Sequence, residues 1–558
     1  MGLDLSNHIF DTATRFNEGS WYYDLQRQDT VYDALGRLIS QTKDGTMSAL
    51  EKDQKVPLKQ FSQSQQVDRW GNVILHTNAR GYSTQYDYNA LDQIEKQTLP
   101  EVSIVDEQGI ARKCSPIIHY ATDALGRTIG MTDANGHTVA KKLDEEGRVI
   151  QEIDALGHHR DKTYNVLGQL SSSTNERGGL TTYLYDKANR LLSISTPQTW
   201  QGYRYDGAGQ LIEQVDGRGN KTHYWYDALG QQTQREQAGA STHYEYDDAG
   251  HKISERDALG KTQSWHYDDK GHLLSHRDLG GHQTEYTYNH NGLLLTEQSS
   301  QGKNMRYHYF SDGQLQQVAD NTRLEVVNYT YDAEGNVASK DSSRPGDWIA
   351  ETDRYEYDAL GRLVQVRRRR PDDKNPGIPE PDRALLSIDY EYDAVGNIRD
   401  TKVVANYTGY QQISRNDYFR YDANNRMILN KGQLKNGAIV MTTSQGSELT
   451  YDETGNINTA AVYENGILQH YGYRYNTTNQ LETIRKNGYN SQTKASDKAG
   501  NIEKETLYNT LGTVSQHNVM GYTQGRLSSQ TTSDMFGREV NRTQYAYDAV
   551  GNLTSLAT

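Results

Sequence analysis

The chain has 558 residues with a formal net charge of −14, from 59 Lys and Arg against 73 Asp and Glu, and it carries 41 tyrosines but only 6 phenylalanines. This length predicts several domains or a repeat array. The acidic balance argues against a nucleic-acid-binding protein, because contacts to phosphates need a basic surface. The single cysteine, Cys114, excludes an intramolecular disulfide and a multi-cysteine metal site.

The N-terminal stretch lacks both a basic region and an apolar region of the kind that a Sec signal peptide needs. No window of about 18 residues is apolar enough to suggest a membrane span. The sequence therefore predicts that any export follows a non-Sec route.

A short phrase, Tyr-Asp/Asn-x-x-Gly-x-Leu/Ile/Val, recurs along the chain, most clearly over residues 164–337, where successive tyrosines lie 20 to 22 residues apart. So regular a period predicts one repeat array over residues 1–558 with no second domain. The residues assigned to this structural motif are Tyr185, Asp186, Tyr205, Asp206, Gly209, Tyr226, Asp227, Gly230, Tyr246, Asp247, Gly250, Tyr267, Asp268, Gly271, Tyr331, Asp332, Gly335, Tyr357, Asp358, Gly361, Tyr392, Asp393 and Gly396.

Each period is predicted to be a β-hairpin, and residues 242–260 provide an example. THYEY forms one strand, DDAG a turn, HKISER the returning strand and DALG the turn into the next unit. An Asp or Asn side chain opens such a turn, and Gly supplies the positive φ that closes it.

A second aromatic residue usually lies two positions before the motif tyrosine, as Tyr244 does before Tyr246, and the residue between them is mostly polar. Residues i and i+2 point to the same face of a strand. The pattern therefore predicts a ladder of stacked tyrosines on one face and a wet opposite face, with the ladder replacing a core of Leu and Ile.

Some 25 hairpins would make a ribbon of about 50 strands at roughly 4.8 Å each. Open sheets rarely exceed about 10 strands without curling. We therefore expect an all-β fold in which the hairpin ribbon coils into a hollow spiral shell or an arc of one.

Three stretches interrupt the period. Residues 40–66 and 99–118 are predicted to be irregular polar insertions. The segment Arg367–Arg383 contains four of the nine prolines and is predicted to be an exposed loop. Its run Arg367–Arg370 could be a processing site or an anionic docking patch, although a solvated loop is the simpler interpretation.

The phrases YDALGRLISQT (Tyr32–Thr42), YDALGRLVQV (Tyr357–Val366) and YDAVGNIRD (Tyr392–Asp400) resemble the YD repeats of the Rhs family. That family includes the C component of insecticidal toxin complexes and, more remotely, the teneurins. The resemblance implies a β-shell that encloses a toxic C-terminal domain and is delivered by bacterial type VI secretion or a toxin-complex injector, in bacterial competition or virulence. It implies as partners a toxin cargo and either the remaining shell segments or a companion toxin subunit.

Such shells are closed by a core segment with a DPxGL-like motif, in which an aspartyl autoprotease releases the cargo. This sequence contains nothing like that motif, so no autoprotease residue is carried over. The toxic domain is likewise expected to lie outside this chain, which resembles the middle of the shell.

The recurrent acids could suggest a glycoside hydrolase, but they occupy equivalent positions in every repeat, whereas catalysis needs one pair in distinct environments. No calcium-loop motif is present. The histidines His266, His272, His276 and His282 spread over two strands and two turns, and Cys114 has no motif partner. We therefore predict no catalytic residue, metal or cofactor, and a buried, inert thiol.

The leading hypothesis is a non-enzymatic encapsulation shell. The alternative is a carbohydrate-binding surface or adhesive protein, because aromatic side chains also stack on sugar rings. A hydrolase is the third and weakest hypothesis.

Overall fold

The chain is described by a computed structural model that covers residues 9–17, 20–44, 60–310, 312–344, 351–369, 385–406, 412–436, 438–442, 445–548 and 551–558. Over these residues the chain forms 48 β-strands and no helix. The predicted all-β fold is therefore confirmed. No helix in these ranges could cross a membrane, for the simple reason that the described residues form none.

The chain divides into two compact units, and each unit contains two long segments of the sequence. Unit 1 comprises Met1–Thr138, Gln283–Tyr421 and Gln433–Val440. Unit 2 comprises Val139–His282, Asp422–Gly432 and Met441–Thr558. We call the earlier long segment of each unit its first run and the later one its second run.

The strands alternate between the two units in four successive blocks. The first run of unit 1 holds β1 (Ile9–Asn17), β2 (Ser20–Tyr32), β3 (Leu38–Asp44), β4 (Gln60–Val67), β5 (Val73–Thr77), β6 (Ser83–Tyr88), β7 (Ile94–Thr98), β8 (Val102–Val105), β9 (Ala111–Cys114), β10 (Ile117–Thr122) and β11 (Thr128–Thr132), and β12 (Thr138–Leu143) crosses the boundary. The first run of unit 2 holds β13 (Val149–Ile153), β14 (His159–Tyr164), β15 (Leu170–Thr174), β16 (Leu180–Tyr185), β17 (Leu191–Ser195), β18 (Trp200–Tyr205), β19 (Leu211–Val215), β20 (Lys221–Tyr226), β21 (Gln232–Gln237), β22 (Ala240–Tyr246), β23 (Lys252–Arg256), β24 (Thr262–Tyr267) and β25 (Leu273–Arg277). The second run of unit 1 holds β26 (Gln283–Tyr288), β27 (Leu294–Ser299), β28 (Asn304–Tyr309), β29 (Leu315–Asp320), β30 (Glu325–Tyr331), β31 (Val337–Ser343), β32 (Glu351–Tyr357), β33 (Leu363–Arg369), β34 (Leu386–Tyr392), β35 (Ile398–Ala405) and β36 (Ile413–Tyr421). After β37 (Met427–Lys435) and β38 (Ala438–Met441), which cross the boundary, the second run of unit 2 holds β39 (Ser447–Tyr451), β40 (Ile457–Glu464), β41 (Ile467–Tyr475), β42 (Leu481–Lys486), β43 (Tyr489–Ser496), β44 (Ile502–Tyr508), β45 (Val514–Thr523), β46 (Arg526–Asp534), β47 (Glu539–Tyr547) and β48 (Leu553–Ala557).

Neighbouring strands pair antiparallel as hairpins, which confirms the predicted repeat unit. In the pair β22–β23, Tyr244 lies opposite Glu255 and Tyr246 opposite Lys252, with a bulge just before Tyr246. The same bulge precedes the motif tyrosine in many other hairpins, for example Tyr185 and Tyr205. A bulge increases the local twist of a strand pair, so the repeat imposes its curvature at a fixed place in each hairpin.

The stretch 99–118 is not an irregular polar insertion, and that prediction was wrong. Strands β8 and β9 form a separate two-stranded sheet. Val102 and Ile104 of β8 are buried and form an apolar cluster with Ala359 and Ala394 of the second run. The polar residues of the turn and of β9 hide this short apolar strand in the sequence.

The other two interruptions are described only in part. The ends of the 40–66 stretch belong to β3 and β4, which pair with each other, so those ends are not irregular as expected. In the predicted loop, Arg367–Arg369 belong to β33, so these three residues are strand and not loop. Residues 45–59 and 370–383 lie outside the described residues.

Candidate functional site: contacts that join repeats and runs

The motif tyrosine is the last residue of its strand, and in many hairpins its hydroxyl donates a hydrogen bond to a backbone carbonyl at the start of an earlier strand. Tyr185 donates to the Leu170 carbonyl at 3.0 Å, although the pairing of β15 with β16 runs only from Ser172 to Thr174. The hydroxyl thus supplies a hydrogen bond at the edge, beyond the end of the backbone ladder. Phenylalanine could not donate it, which explains the excess of tyrosine. The same bond is made by Tyr88, Tyr164, Tyr226, Tyr246, Tyr331, Tyr357, Tyr392 and Tyr451.

Burial raises the pKa of many of these hydroxyls, including those of Tyr185, Tyr226 and Tyr331. On the neighbouring aromatic row, burial and the nearby Glu297 carboxylate raise the pKa of Tyr307 to about 12. The hydroxyls therefore remain protonated donors throughout the physiological pH range.

The motif aspartate is a turn acceptor. The Asp268 carboxylate accepts the backbone N–H groups of Lys270 and His272, at 2.9 and 2.8 Å, and lies 2.9 Å from Nδ1 of His272. The pKa of Asp268 is lowered to about 2, chiefly by the hydrogen bond with the His272 side chain. The two backbone N–H groups lower this pKa further. The pKa values of Asp186 and Asp247 are also lowered. This is the opposite direction from that of a general acid.

Cationic and imidazole side chains lie against the motif tyrosines. The Arg190 guanidinium lies 5.1 Å from the Tyr205 ring, with Nε 2.7 Å from Asp186 of its own turn and Nη1 2.7 Å from the Asp206 carbonyl of the next. His251 stacks on Tyr267 at 4.8 Å. Arg148, Arg362 and Arg426 make the same ring contact with Tyr164, Tyr392 and Tyr451.

The expected ladder of stacked tyrosines is corrected for the row of motif tyrosines, although Tyr471 and Tyr473 of one strand do stack, with ring centroids 6.4 Å apart. Motif tyrosines lie on every second strand, about 9.6 Å apart, whereas aromatic rings interact at about 4.5–7 Å between centroids. Arginine and histidine side chains bridge this distance by contacting one turn and the ring of the next repeat.

In unit 1, Arg80 joins the first run to the second. Its Nη2 donates to the carbonyls of Tyr357 and Asp358, at 2.8 and 2.7 Å, and its Nε lies 3.6 Å from Asp332. Arg80 is the third residue of the turn Asn78–Gly81, at the hairpin end opposite the motif turn. One side chain thus ties this turn to two successive motif turns of the second run, which begin at Asp332 and Asp358.

In unit 2, Arg177 occupies the same turn position. Its Nη1 donates to the carbonyls of Tyr475 and Asn476, at 3.0 and 3.3 Å, and it forms an ion pair with Asp452. The Asp452 side chain is only 5% exposed. The guanidinium also lies 5.6 Å from the Tyr475 ring.

Arg218 repeats the arrangement further along unit 2. It forms an ion pair with the buried Asp497 carboxylate and lies 4.7 Å from the Tyr522 ring. Burial acts to raise the pKa of Asp497, but the N–H groups of Asn501 and Ala499 and the charge of Arg218 lower it overall. The carboxylate is thus held ionised beneath the arginine.

Glycine permits the two runs of unit 2 to approach closely beside these arginines. A Cβ atom on Gly179 would lie 1.9 Å from the Thr477 carbonyl oxygen, and one on Gly217 would lie 2.0 Å from that of Lys498. Real Cβ atoms never approach a backbone oxygen so closely. Only glycine fits at these two positions.

Asparagine and a different arginine make related contacts. In unit 1, Asn135 Nδ2 donates to Asp393 Oδ2 at 3.1 Å. Arg399, from the same run as Asp393, has its Nε 3.5 Å from that carboxylate and its guanidinium 5.8 Å from the Tyr421 ring. The cation beside Asp393 therefore comes from the same run as the aspartate. In the other contacts the arginine (Arg80, Arg177 or Arg218) comes from the opposite run. In unit 2, Asn424 bonds Asp154 at 2.6 Å.

Sequence reasoning missed these inter-run residues. A signal was present, because Asx-x-Arg-Gly recurs in the turns Asn78–Gly81, Asn175–Gly178 and Asp216–Gly219. What they bind lies hundreds of residues away and follows no local period.

The predicted motif residues take the same local positions in their hairpins. The tyrosines end strands, the aspartates open turns, and the glycines adopt positive φ, as at Gly209, Gly230, Gly250, Gly271, Gly335, Gly361 and Gly396. In unit 1, the motif residues Asp332, Tyr357, Asp358 and Asp393 also contact the first run.

The other candidate residues do not converge. His272 and His282 each contact the aspartate of their own turn, while His276 stacks on Trp265 at 5.4 Å. Over the described ranges, no three or more His, Cys, Asp or Glu side chains are placed to hold a metal ion. Cys114 is half-buried and packs beside the Val102 cluster, so the expectation of a buried thiol is corrected to partial burial.

Known proteins share both sequence and fold with this chain. Residues 122–276 and 212–349 match the family described as teneurin YD-shell. Among curated proteins, Double-stranded DNA deaminase toxin A of Burkholderia cenocepacia (strain H111) is 30% identical over 110 residues, which is 20% of this chain and 8% of that protein.

Solved structures show the fold over almost the whole length. The crystal structure of TcdB2-TccC3 matches 96% of this chain and 33% of its own, with a TM-score of 0.55 and 14% identity. The Photorhabdus luminescens Tc holotoxin pore matches 98% of this chain and 32% of its own, with a TM-score of 0.53 and 14% identity. The chain thus spans about a third of these structures' length and less than a tenth of the deaminase toxin.

Proposed function

We propose that this chain, which carries an Rhs/YD-repeat shell region and has the fold seen in TcdB2-TccC3, is a structural wall that encloses and shields a toxic polypeptide. The coiled-ribbon interpretation is supported within each unit, where contacts join residues of the two runs such as Ala79 and Glu334, 255 positions apart, and Asn175 and Thr477, 302 positions apart. In each unit the later run of the ribbon lies beside the earlier run, as neighbouring turns of a coiled wall must.

The single observation that carries the proposal is the set of inter-run arginines, Arg80, Arg177 and Arg218. Each arginine pairs with an aspartate that opens a turn of the opposite run: Asp332, Asp452 and Asp497, respectively. The turns of the hairpins form the two long edges of the ribbon. Paired turns, close glycine contacts and buried ion pairs join the two edges with little space between them.

The cargo and its delivery are inferred from chemistry and from what the chain resembles. One relative is by name a DNA deaminase toxin, which supports a toxic domain as the enclosed partner. We infer that the remaining shell segments or a companion toxin subunit complete the enclosure. Export by a non-Sec route, through type VI secretion or a toxin-complex injector, is part of the same proposal, as is a role in bacterial competition or virulence.

We also propose that the wall itself is not an enzyme. Its repeated aspartates are turn acceptors, and the lowered pKa values of Asp186, Asp247 and Asp268 suit that role. The purified chain should hydrolyse no glycan, ester or peptide substrate in a broad panel. Activity that disappears on changing one Asp or Glu would replace the shell by a hydrolase.

Protease protection tests the enclosure directly. An unstructured reporter peptide is fused after Thr558 of the full chain, and its cleavage is compared with that of the same peptide free in solution. Because the segments that complete the enclosure are absent from this fusion, we expect partial protection, with cleavage slowed about threefold. The combined substitutions Arg177→Ala and Arg218→Ala should restore fast cleavage, whereas the exposed Arg474→Ala should not. Equal cleavage of fused and free peptide would contradict enclosure.

A further inference from the structure

A cavity of about 290 Å³ lies inside unit 2, between residues of the first run and two motif turns that come later in the chain. The first wall comes from β13, β14 and the turn after β15, and the second from the turns that begin at Asp422 and Asp452. We call it the inter-run cavity. The charged residues that line it are Glu152, Asp154, Arg160, Glu176, Arg426 and Glu453.

Glu176 is the most buried of these charged side chains, with 8% of its surface exposed. Its Oε1 accepts a hydrogen bond from Arg160 Nε. Its Oε2 is buried as well, and it has no hydrogen-bond partner among the described residues. Because a buried acceptor without a donor is destabilising, the cavity favours a ligand that donates a hydrogen bond to this oxygen.

The inter-run cavity also has an excess of negative charge. Its lining contains four carboxylates but only two guanidinium groups, and His158 beside Asp154 is positive only when protonated. The ion pairs behind the lining do not change this excess, because they add two cations and two carboxylates: Lys162, Arg177, Asp422 and Asp452. The donor that suits Glu176 is therefore a cation.

The arrangement of the carboxylates favours an organic cation over a metal ion. Nowhere in the described part of the chain do three His, Cys, Asp or Glu side chains converge closely enough to hold a metal. An extended cation can instead bring N–H groups to several separate carboxylates.

The Arg160 contact narrows the choice further, because it leaves one oxygen of Glu176 for the ligand. An ammonium group is a compact charge that suits a single oxygen, whereas a guanidinium binds a carboxylate best through both oxygens.

We propose that the inter-run cavity binds a linear polyamine. One primary ammonium group donates to Glu176 Oε2, and the other amino groups lie near Glu152 and Glu453, whose side chains are 44% and 43% exposed. Glu176 and Glu453 belong to different runs, so the bound polyamine joins them. This binding goes beyond the shell and does not depend on enclosure of a cargo.

Calorimetric titration of the purified full chain with spermidine, at constant ionic strength, tests the proposal. We expect one saturable site per chain. Glu176→Gln keeps the size of the side chain but removes its charge, and it should weaken binding at least tenfold. Glu152→Gln, at the more exposed rim, should weaken binding about threefold. Circular dichroism checks that the variants are folded, and if Glu176→Gln is not, Glu152→Gln and the comparison of ligands decide.

Matched controls separate the cavity from the general acidity of the chain. Glu145→Gln removes an exposed carboxylate from the turn between β12 and β13, at the other end of the strand that carries Glu152, and it should bind spermidine like the unchanged chain. Butylammonium should bind more tightly than butylguanidinium, which has the same charge and alkyl chain.

Four outcomes would each overturn the proposal. They are the absence of saturable binding, unchanged spermidine binding by either folded cavity variant, tighter binding of butylguanidinium than of butylammonium, and tighter binding of N-acetyl-lysine-N-methylamide than of spermidine. The last would assign the cavity to a lysine side chain of a polypeptide.

Discussion

Arg177 and Asp452 are 275 residues apart in the chain, yet they form an ion pair in which the carboxylate is 5% exposed and the guanidinium 15%. The same guanidinium donates to the carbonyls of Tyr475 and Asn476. This relationship holds the two runs of unit 2 together through one side chain. It makes the stability of the second run depend on a turn in the first.

Arg177→Ala should therefore destabilise the contact between the runs by about 3–5 kcal/mol, because it leaves Asp452 buried without its partner. Hydrogen exchange should show faster opening at β39–β42 and at the turn Asn175–Gly178, with little change in unit 1. Arg474→Ala removes an exposed arginine that lies 3.8 Å from Glu482, and it should change little. Equal protection in both variants would contradict a role for Arg177 in joining the runs.

Gly179→Ala tests the close approach beside that pair. The new methyl group would meet the Thr477 carbonyl oxygen, so the runs must separate at a cost of about 1–3 kcal/mol. Gly207→Ala is the matched control, because nothing lies within 4 Å of a Cβ there. It should be neutral or stabilise by about 0.4–1 kcal/mol. Urea unfolding that ranks the two variants equally would contradict the contact.

Tyr246→Phe should cost about 0.5–1.5 kcal/mol, since it removes the hydrogen bond that the hydroxyl donates to the Gln232 carbonyl at 2.9 Å. Tyr246→Ala should cost more, because the ring is lost as well. In a repeat array the damage should stay near β21–β23. Proteolysis should map it there, with the exposed Tyr489→Phe as control. A uniform loss of protection along the chain would indicate one cooperative globule instead.

Local features were predictable from the sequence, whereas contacts between runs were not. The hairpin of Tyr246 and Gly250 follows from turn chemistry that acts within a few residues. The side chain against Tyr267 was not predicted, because the period locates the rings but does not reveal that His251 reaches across to them. The pairing of Arg177 with Asp452 depends on how far the ribbon travels before it returns, and small twists summed over many strands determine that distance.

The stretch 99–118 shows a different reason for failure. Its average polarity suggested an insertion, but Val102 and Ile104 alternate on one face of a four-residue strand. A strand this short gives too weak a pattern to separate from a loop. Its partners Ala359 and Ala394 belong to motif turns, where their small side chains leave room for it.

Asp400 should make the stability of the β34–β36 region depend on pH. The pKa of Asp400 is raised to about 6, chiefly by burial of its carboxyl group. The negative charges of Glu391 and Asp417 raise this pKa further, whereas the positive charge of Lys402 lowers it. Glu391 on β34 and Tyr418 on β36 lie directly opposite it. Because the folded pKa lies above the unfolded value, folding favours the neutral acid, and stability falls as the pH rises from about 4 to about 6.

Asp400→Asn should remove that dependence. At pH 7 the variant should be more stable than the unchanged chain by about 1–2 kcal/mol, less than the roughly 3 kcal/mol that such a shift would give for a fully buried group. Asp268→Asn is the control of opposite sign, because the pKa of Asp268 is lowered to about 2. That variant should be less stable at pH 7, and the difference should disappear as the pH falls from about 4 to 2. Hydrogen exchange at β34–β36 and at β24–β25 between pH 4 and 7, with urea unfolding at lower pH, measures both effects, and a destabilised Asp400→Asn at pH 7 would contradict the assignment.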